Sequence, residues 1–175
     1  DQGAVTALVA LTDTVEATEA RHRIATAFCN LSAEPLNRHV MMQEQTHKAL
    51  VTLSNTANAA ASSQSLILVA FINLLSVSEN QCAIVEAGLL PLLERLSTKT
   101  ASEEVKRYCG MALANIADDL SLHKTATHQT VIAMMTKLAS SSDIELQRII
   151  ASAFAMFAYI LTGDTHSDST SEPVQ

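Results

Sequence analysis

A self-similarity with a period near 42 residues is the feature that most constrains how this chain can fold. Four segments begin with alanine and end in Asn-Leu or a close variant: residues 27–31, 70–74, 112–116 and 153–157. Their fourth positions lie 43, 42 and 41 residues apart. A second frame begins at Gly3, Gln45, Gly88 and Thr130, with spacings of 42, 43 and 42 residues. Two frames with one period predict a repeat protein, in which each unit packs against its neighbours.

Within each unit the apolar residues recur every three or four positions, which predicts helices. The chain has only four Gly and three Pro in 175 residues, which disfavours the many tight turns of a β-sandwich or barrel. We therefore predict an all-α chain. Its predicted helices cover residues 4–11, 19–32, 37–43, 46–53, 65–75, 80–86, 89–96, 103–117, 120–126, 130–138 and 143–161.

Several boundaries have a local cause. Pro35 ends the second helix, because the residue before a proline is pushed out of helical geometry. Ser102, followed by two glutamates, is a predicted N-cap. The stretch 55–64 is rich in Ala, Ser and Asn, and we interpret it as a surface loop or as frayed helix ends. Residues 162–175 are polar and acidic without periodicity, which predicts a disordered tail.

The repeat resembles the armadillo repeat, a three-helix unit of about 42 residues. The residues that carry the resemblance lie mainly in the second and third units: Asn73, Asn80, Ile84, Gly88 and Asn115. The chain departs from the pattern at the corner glycine and at the last asparagine, which are replaced by Gln45, Thr130 and Met156. HEAT repeats are the nearest alternative, but their helix pairs do not usually carry the Asn-Leu ending.

This resemblance implies a right-handed α-solenoid, or superhelix, of about four units over residues 1–161. The units would cover about 1–34, 35–76, 77–118 and 119–161, and the first lacks its short opening helix. Because the chain begins at Asp1 inside a repeat, we expect it to be part of a longer chain. Stacking is required physically, since one trio of helices cannot bury its apolar face alone.

The resemblance also implies that the third helix of each unit lines a concave groove for an extended peptide or a partner surface. The residues expected in this groove are Asn30, Asn73, Asn115, Thr26, Val69, Met111, His22, Arg23, Arg107 and Arg148. A carboxamide offers donors and an acceptor to a peptide backbone. The alternative is that each asparagine only satisfies nearby carbonyls and helps to set the stacking.

The charge of this groove is predicted to be mixed. The nuclear-import members of the family hold lysine side chains between tryptophans, and this chain has no Trp. The arginines form a thin basic stripe. Glu34, Asp118 and Asp119 lie just beyond the row of repeated asparagines, and their negative charges oppose this stripe. We therefore predict a scaffold or adaptor for a peptide of no obvious charge. The alternatives are an Hsp70-type chaperone cofactor that promotes nucleotide exchange, or a fragment of a nuclear-import-type receptor.

Other functions are disfavoured by what the sequence lacks. A net charge of −7 argues against a nucleic-acid surface, and no apolar run approaches the roughly 20 residues of a membrane span. The histidines have no closed ligand set, so we expect no metal and no cofactor. No nucleophile motif or phosphate loop occurs, so we expect no enzyme. Cys29, Cys82 and Cys109 are predicted to be buried thiols in a reducing compartment, the cytoplasm or the nucleus.

Overall fold

The computed structural model describes residues 2–55, 60–118 and 125–163. These residues form ten helices and no strand, which confirms the all-α prediction. In chain order the helices are α1 (Gln2–Thr14), α2 (Thr18–Ala33), α3 (Pro35–Gln43), α4 (Thr46–Ser54), α5 (Ala61–Leu75), α6 (Ser78–Glu86), α7 (Leu89–Lys99), α8 (Glu103–Asp118), α9 (Thr125–Ala139) and α10 (Ile144–Gly163).

The helices stack as a solenoid. Helix α2 packs on α5, α5 on α8, and α8 on α10, so that the helices ending the predicted units lie side by side. Each also packs on the helix just before it in its own unit, as α5 does on α4 and α8 on α7. This arrangement confirms the predicted repeat architecture, in which the main contacts between units join sequence neighbours.

A continuous apolar core runs through the stack. Its largest fully buried members come from successive units and include Phe28, Leu50, Phe71 and Leu93. Gly110 shows how closely the last two ladder helices approach, because a Cβ atom there would lie 2.8 Å from Leu146 Cδ1. With only hydrogen at this position, α10 can rest directly on α8.

Two corner positions of the second sequence frame, Gln45 and Gly88, lie in turns between helices and adopt left-handed backbone geometry. Gly88 has a φ of 106° and precedes α7, while Gln45 has a φ of 58° and precedes α4. The prediction of a helix start at Thr130 is wrong, because α9 runs unbroken through it from Thr125. Residues 126–129 contain no Gly or Pro that would interrupt a helix. Most of the predicted helix 120–126 lies outside the described residues.

The other boundary predictions have mixed outcomes. Helix α2 ends before Pro35, and Ser102 Oγ accepts a hydrogen bond from Val105 N at 3.3 Å, as an N-cap does. The loop prediction is wrong for residues 61–64, which form the first turn of α5. Buried Ser63 anchors this turn to His22 of α2. Residues 56–59 of the predicted loop lie outside the described residues. So do residues 164–175, which make up nearly all of the predicted tail, whereas residues 162 and 163 belong to α10.

Candidate functional site

Equivalent positions of α2, α5, α8 and α10 form one surface, which we call the ladder face. It consists of the ladder residues and the residues four positions before them, which lie on the same side of a helix. These are Asn30, Asn73, Asn115 and Met156, with Thr26, Val69, Met111 and Ser152. Because the four helices pack side by side in this order, the eight positions form two adjacent rows.

Two ladder asparagines join consecutive units. Asn73 Nδ2 donates to Ser32 Oγ at 3.1 Å, and Ser32 is fully buried and donates in turn to the Cys29 carbonyl oxygen. Asn115 Nδ2 donates to the Ile72 carbonyl oxygen at 3.2 Å. Asn30 is exposed. Asn73 and Asn115 therefore contribute to stacking, and contact of these side chains with a peptide stays a prediction.

The α2 end of the ladder face carries a shallow polar cleft of about 510 Å³. It brings together four of the predicted residues, which line it with Glu19 and Ala27: His22, Arg23, Thr26 and Asn30. His22 Nδ1 lies 2.9 Å from Ser63 Oγ, so this histidine also bridges α2 and α5. The cleft offers both hydrogen-bonding groups and apolar surface to a ligand.

A second cleft, of about 370 Å³, lies between α8 and α10, and we call it the α8/α10 cleft. It contains the predicted residues Met111, Asn115 and Arg148. Its other lining residues are Ala114, Asp118, Ile149, Ser152, Ala153 and Met156. Ile149, Ser152 and Met156 were not among the residues expected in the groove. The repeat register could have found the last two, since they occupy the ladder row and the row before it in the fourth unit.

The predicted basic stripe is largely neutralised by nearby carboxylates. Arg107 donates to Asp143 from Nη2 at 2.7 Å and from Nε at 3.1 Å. This hydrogen bond is the main reason why the pKa of Asp143 is lowered and the pKa of Arg107 is raised. Arg148 pairs with Glu145 at 2.6 Å and Arg23 with Glu19 at 2.9 Å. These three arginines therefore present little uncompensated positive charge.

The remaining predicted residues have simple positions. Val69 is half-buried on α5, between Thr26 of α2 and Met111 of α8. Glu34 caps α3 through a hydrogen bond from Leu36 N at 3.4 Å, while Asp118 is exposed at the α8/α10 cleft. Asp119 lies outside the described residues.

The thiols and two expected absences can be compared with the described part of the chain. Cys109 is buried, and burial raises its pKa to about 12. Cys29 and Cys82 are only half-buried, so the prediction of buried thiols is wrong for these two. Within the described ranges no group of three or more His, Cys, Asp or Glu residues could hold a metal ion. Among the described helices none has the length and apolar character needed to cross a membrane.

Comparison with known proteins finds similarity at the level of structure. No family model and no curated protein matches the sequence. A designed armadillo repeat protein in complex with the peptide (KR)4 matches with a TM-score of 0.73 and 25% identity, over 89% of this chain and 64% of that one. A computationally designed armadillo repeat protein for modular peptide recognition matches with a TM-score of 0.74 and 25% identity, over 89% and 65%. The chain thus spans just under two thirds of their length, and its own fold is that of an armadillo-type repeat solenoid.

Proposed function

We propose that this chain is a non-enzymatic scaffold that binds an extended peptide, or a peptide-like segment of a partner protein, along the ladder face. The observation that carries the proposal is the α8/α10 cleft, which opens on the same face as the asparagine ladder. Small-molecule sites are concave and combine apolar walls with a few polar groups that fix orientation. This cleft likewise combines apolar side chains such as Met111 and Met156 with polar groups such as Asn115. The designed structural neighbours, one solved with a peptide, support the same reading.

Charge narrows the class of ligand. The three arginines predicted for the groove are paired with Glu19, Asp143 and Glu145, which disfavours an acidic peptide. The net charge of −7 disfavours nucleic acid, because binding to phosphates requires clustered cations. We therefore propose a neutral or mildly basic peptide as the ligand. No cofactor takes part in this binding.

We also propose that the protein works in a reducing compartment such as the cytoplasm or the nucleus. Cys29 and Cys109 form no disulfide in the structure, which supports this location.

Peptide selection tests the binding proposal directly. The immobilised protein would be panned against a phage-displayed library of short random peptides, and the enriched peptides would be titrated by fluorescence anisotropy. Met111→Lys replaces an apolar wall of the cleft by a positive charge that repels a mildly basic peptide, and we expect it to weaken binding by about tenfold or more, equivalent to about 1.4 kcal/mol. Leu36→Lys is the matched control, because Leu36 is 84% exposed on α3, away from the ladder rows.

The proposal makes a clear demand on these two variants. Enriched peptides must lose affinity for Met111→Lys and keep it for Leu36→Lys. If no peptide is enriched, or if both variants bind as the unmodified protein does, the ladder face is not a peptide site.

A further inference from the structure

We infer that the α8/α10 cleft is an anchor subsite for one large apolar side chain of the ligand, preferably aromatic, with a lysine or arginine of the ligand beside it. This inference rests on the proposed function, because it names the chemistry of one position in the same bound peptide. It differs from a ladder that reads only a peptide backbone, since the affinity of this position comes from a side chain.

The chemistry of the ladder row changes from the first units to the last. At the first two junctions the ladder residue is an asparagine whose NH2 group donates to the preceding unit, as Asn73 and Asn115 do. At the third junction the ladder residue is Met156, whose thioether has no hydrogen to donate. The polar bridge of the earlier junctions is thus replaced here by an apolar wall.

The apolar wall is accessible and belongs to a cavity. Met156 is 44% exposed and Met111 is 37% exposed, and both line the cleft with half-buried Ile149. The volume of the α8/α10 cleft, about 370 Å³, lies within the range of small-ligand sites, about 300–1,000 Å³. Two partly exposed methionines in one concave site favour burial of an apolar group from the ligand.

The two methionines favour an aromatic group as the occupant of the α8/α10 cleft. Methionine is unbranched and flexible, so its side chain can adapt to the shape of a ligand. Its polarisable sulfur makes favourable contacts with aromatic rings, usually at the ring edge. Met111 and Met156 come from neighbouring helices and line the same cleft. An aromatic ring between them would gain this contact twice, which an aliphatic side chain would not.

The charged groups at the rim of the α8/α10 cleft favour a cationic residue of the ligand beside the apolar anchor. The Arg148 guanidinium is bound to Glu145, with Nη2 2.6 Å from Oε1 and Nε 3.1 Å from Oε2. Asp118 is exposed in the lining, and the described part of the chain shows no ion pair to it. Asp118 therefore offers a carboxylate to a ligand at this end, which favours a cationic residue next to the apolar anchor.

Methionine-methyl NMR tests the subsite with small probes. The protein would be labelled with 13C at the methionine methyl groups, and Met111→Leu and Met156→Leu would assign the two signals. The probes are the N-acetyl amides of phenylalanine, leucine, lysine and alanine. We expect the phenylalanine amide to shift both signals and to bind about tenfold more tightly than the alanine amide. Met41, which is fully buried, is the internal control and should not shift.

A side-chain exchange then separates shape from polarity. Met156→Leu keeps an apolar wall and should retain most of the affinity for the phenylalanine amide, whereas Met156→Gln should lose about tenfold. Both variants are expected to fold, because Met156 is 44% exposed, and thermal melting would verify this. Equal binding of all four amides, or equal binding to the Leu and Gln variants, would overturn the subsite.

The two proposals can fail separately. If peptides selected on the whole protein depend on Met111 but contain no shared large apolar residue, and the NMR probes do not discriminate, the subsite is wrong and the peptide scaffold stands. If no peptide is selected but the phenylalanine amide binds between the two methionines, the scaffold proposal fails and the apolar site remains.

Discussion

At the scale of single residues, the least expected feature is a pair of polar side chains inside the core. Thr46 and His47 begin α4 and are buried, with 0% and 6% exposure. Thr46 Oγ1 and His47 Nδ1 have no hydrogen-bond partner among the described residues. Leaving a buried polar atom unpaired costs about 1–3 kcal/mol. Burial first, and the charge of Lys48 second, lower the pKa of His47.

This lowered pKa predicts sensitivity to acid. The unfolded chain binds a proton on His47 near pH 6.5, while the folded protein resists it until the pH is lower. The unfolded state therefore holds more protons in that window, and the free energy of unfolding falls as the pH decreases below about 6.5. Urea unfolding at pH 7.5 and pH 5.5 measures the effect. His47→Leu should reduce this difference, whereas His39→Leu, on an exposed histidine, should leave it unchanged.

A single core leucine should also be costly to truncate. Leu92 of α7 is 3% exposed and belongs to the apolar core. We expect Leu92→Ala to reduce the free energy of unfolding by about 2–5 kcal/mol, because it removes buried methyl groups and leaves a cavity. Leu36→Ala is the control, since Leu36 is 84% exposed and its truncation should change stability by less than about 0.5 kcal/mol. Similar losses in both variants would contradict the burial of Leu92.

At the scale of helices, the connections between α3 and α4 and between α6 and α7 both pass through a residue in left-handed conformation, but the residue differs. Gln45 and Gly88 both adopt a positive φ before the next helix begins. A side chain in this region costs roughly 1–2 kcal/mol, a penalty that glycine avoids. Around Gly88 no atom lies within 4 Å of where a Cβ would be, so only the backbone conformation requires glycine there.

Exchanging residues at the two corners should change stability in opposite directions. Gly88→Ala should lower the free energy of unfolding by about 1–2 kcal/mol through backbone strain alone. Gln45→Gly should raise it by up to about 1 kcal/mol, because glycine adopts the left-handed geometry without strain. Gln45 also accepts a hydrogen bond from Lys48 Nζ at 3.0 Å, but this contact is exposed and contributes little. Thermal and urea unfolding of both variants measure the two shifts, and shifts of the same sign would contradict this account.

A second set of contacts at the helix scale closes the ends of α2 and α5. Asn37 Nδ2 donates to the Leu31 carbonyl oxygen at 3.1 Å, and Asn80 Nδ2 donates to the Leu74 carbonyl oxygen at 3.0 Å. The last carbonyls of a helix have no partner within it, so the next helix supplies one. Gln81 also reaches the Asn115 carbonyl oxygen of the following unit, at 3.0 Å.

At the scale of the whole molecule, stability comes from contacts between like helices of successive units. In such a stack the total is close to a sum of unit stabilities and nearest-neighbour interface terms. The Asn73–Ser32 hydrogen bond is one interface term, because it joins α5 to α2 through a buried hydroxyl. A residue of this kind can serve both stacking and ligand binding.

A double-mutant cycle measures that interface term. Asn73→Ala should reduce the free energy of unfolding by about 0.5–1.5 kcal/mol, as loss of one hydrogen bond does. The effect should be smaller in a Ser32→Ala background, because the two side chains share the bond. Asn30→Ala is the matched control, since Asn30 is an exposed ladder residue and should change stability by less than about 0.5 kcal/mol. Equal effects of Asn73→Ala in both backgrounds would show that the bond does not contribute.

The same variants show whether the ladder asparagines also contact a ligand. If Asn73→Ala weakens the binding of selected peptides while the protein stays folded, the carboxamide has both roles. If only stability changes, Asn73 acts in stacking alone.

The sequence predicted most of the helices and the order of their stacking, but it was less informative where contacts cross between units. The first turn of α5 is a case in point, since residues 61–64 have no apolar pattern and are held by Ser63 on His22. The pairing of Arg107 with Asp143 joins residues 36 positions apart, and it neutralises a charge that the sequence predicted for the groove. Partner choice of this kind depends on distances that a repeat pattern does not contain.

By itself, the sequence determined the period, the all-helical class and the rows of the ladder, because apolar spacing decides which side of each helix must be buried. Only the tertiary structure decided the chemistry of the ladder face. It directed two asparagines into the unit interfaces, paired Arg107 with Asp143 across 36 positions of the chain, and left Met111 and Met156 lining one cleft. The physical reason is that burial follows from local periodicity, whereas hydrogen bonds and ion pairs need groups from different units to lie within about 3 Å of each other.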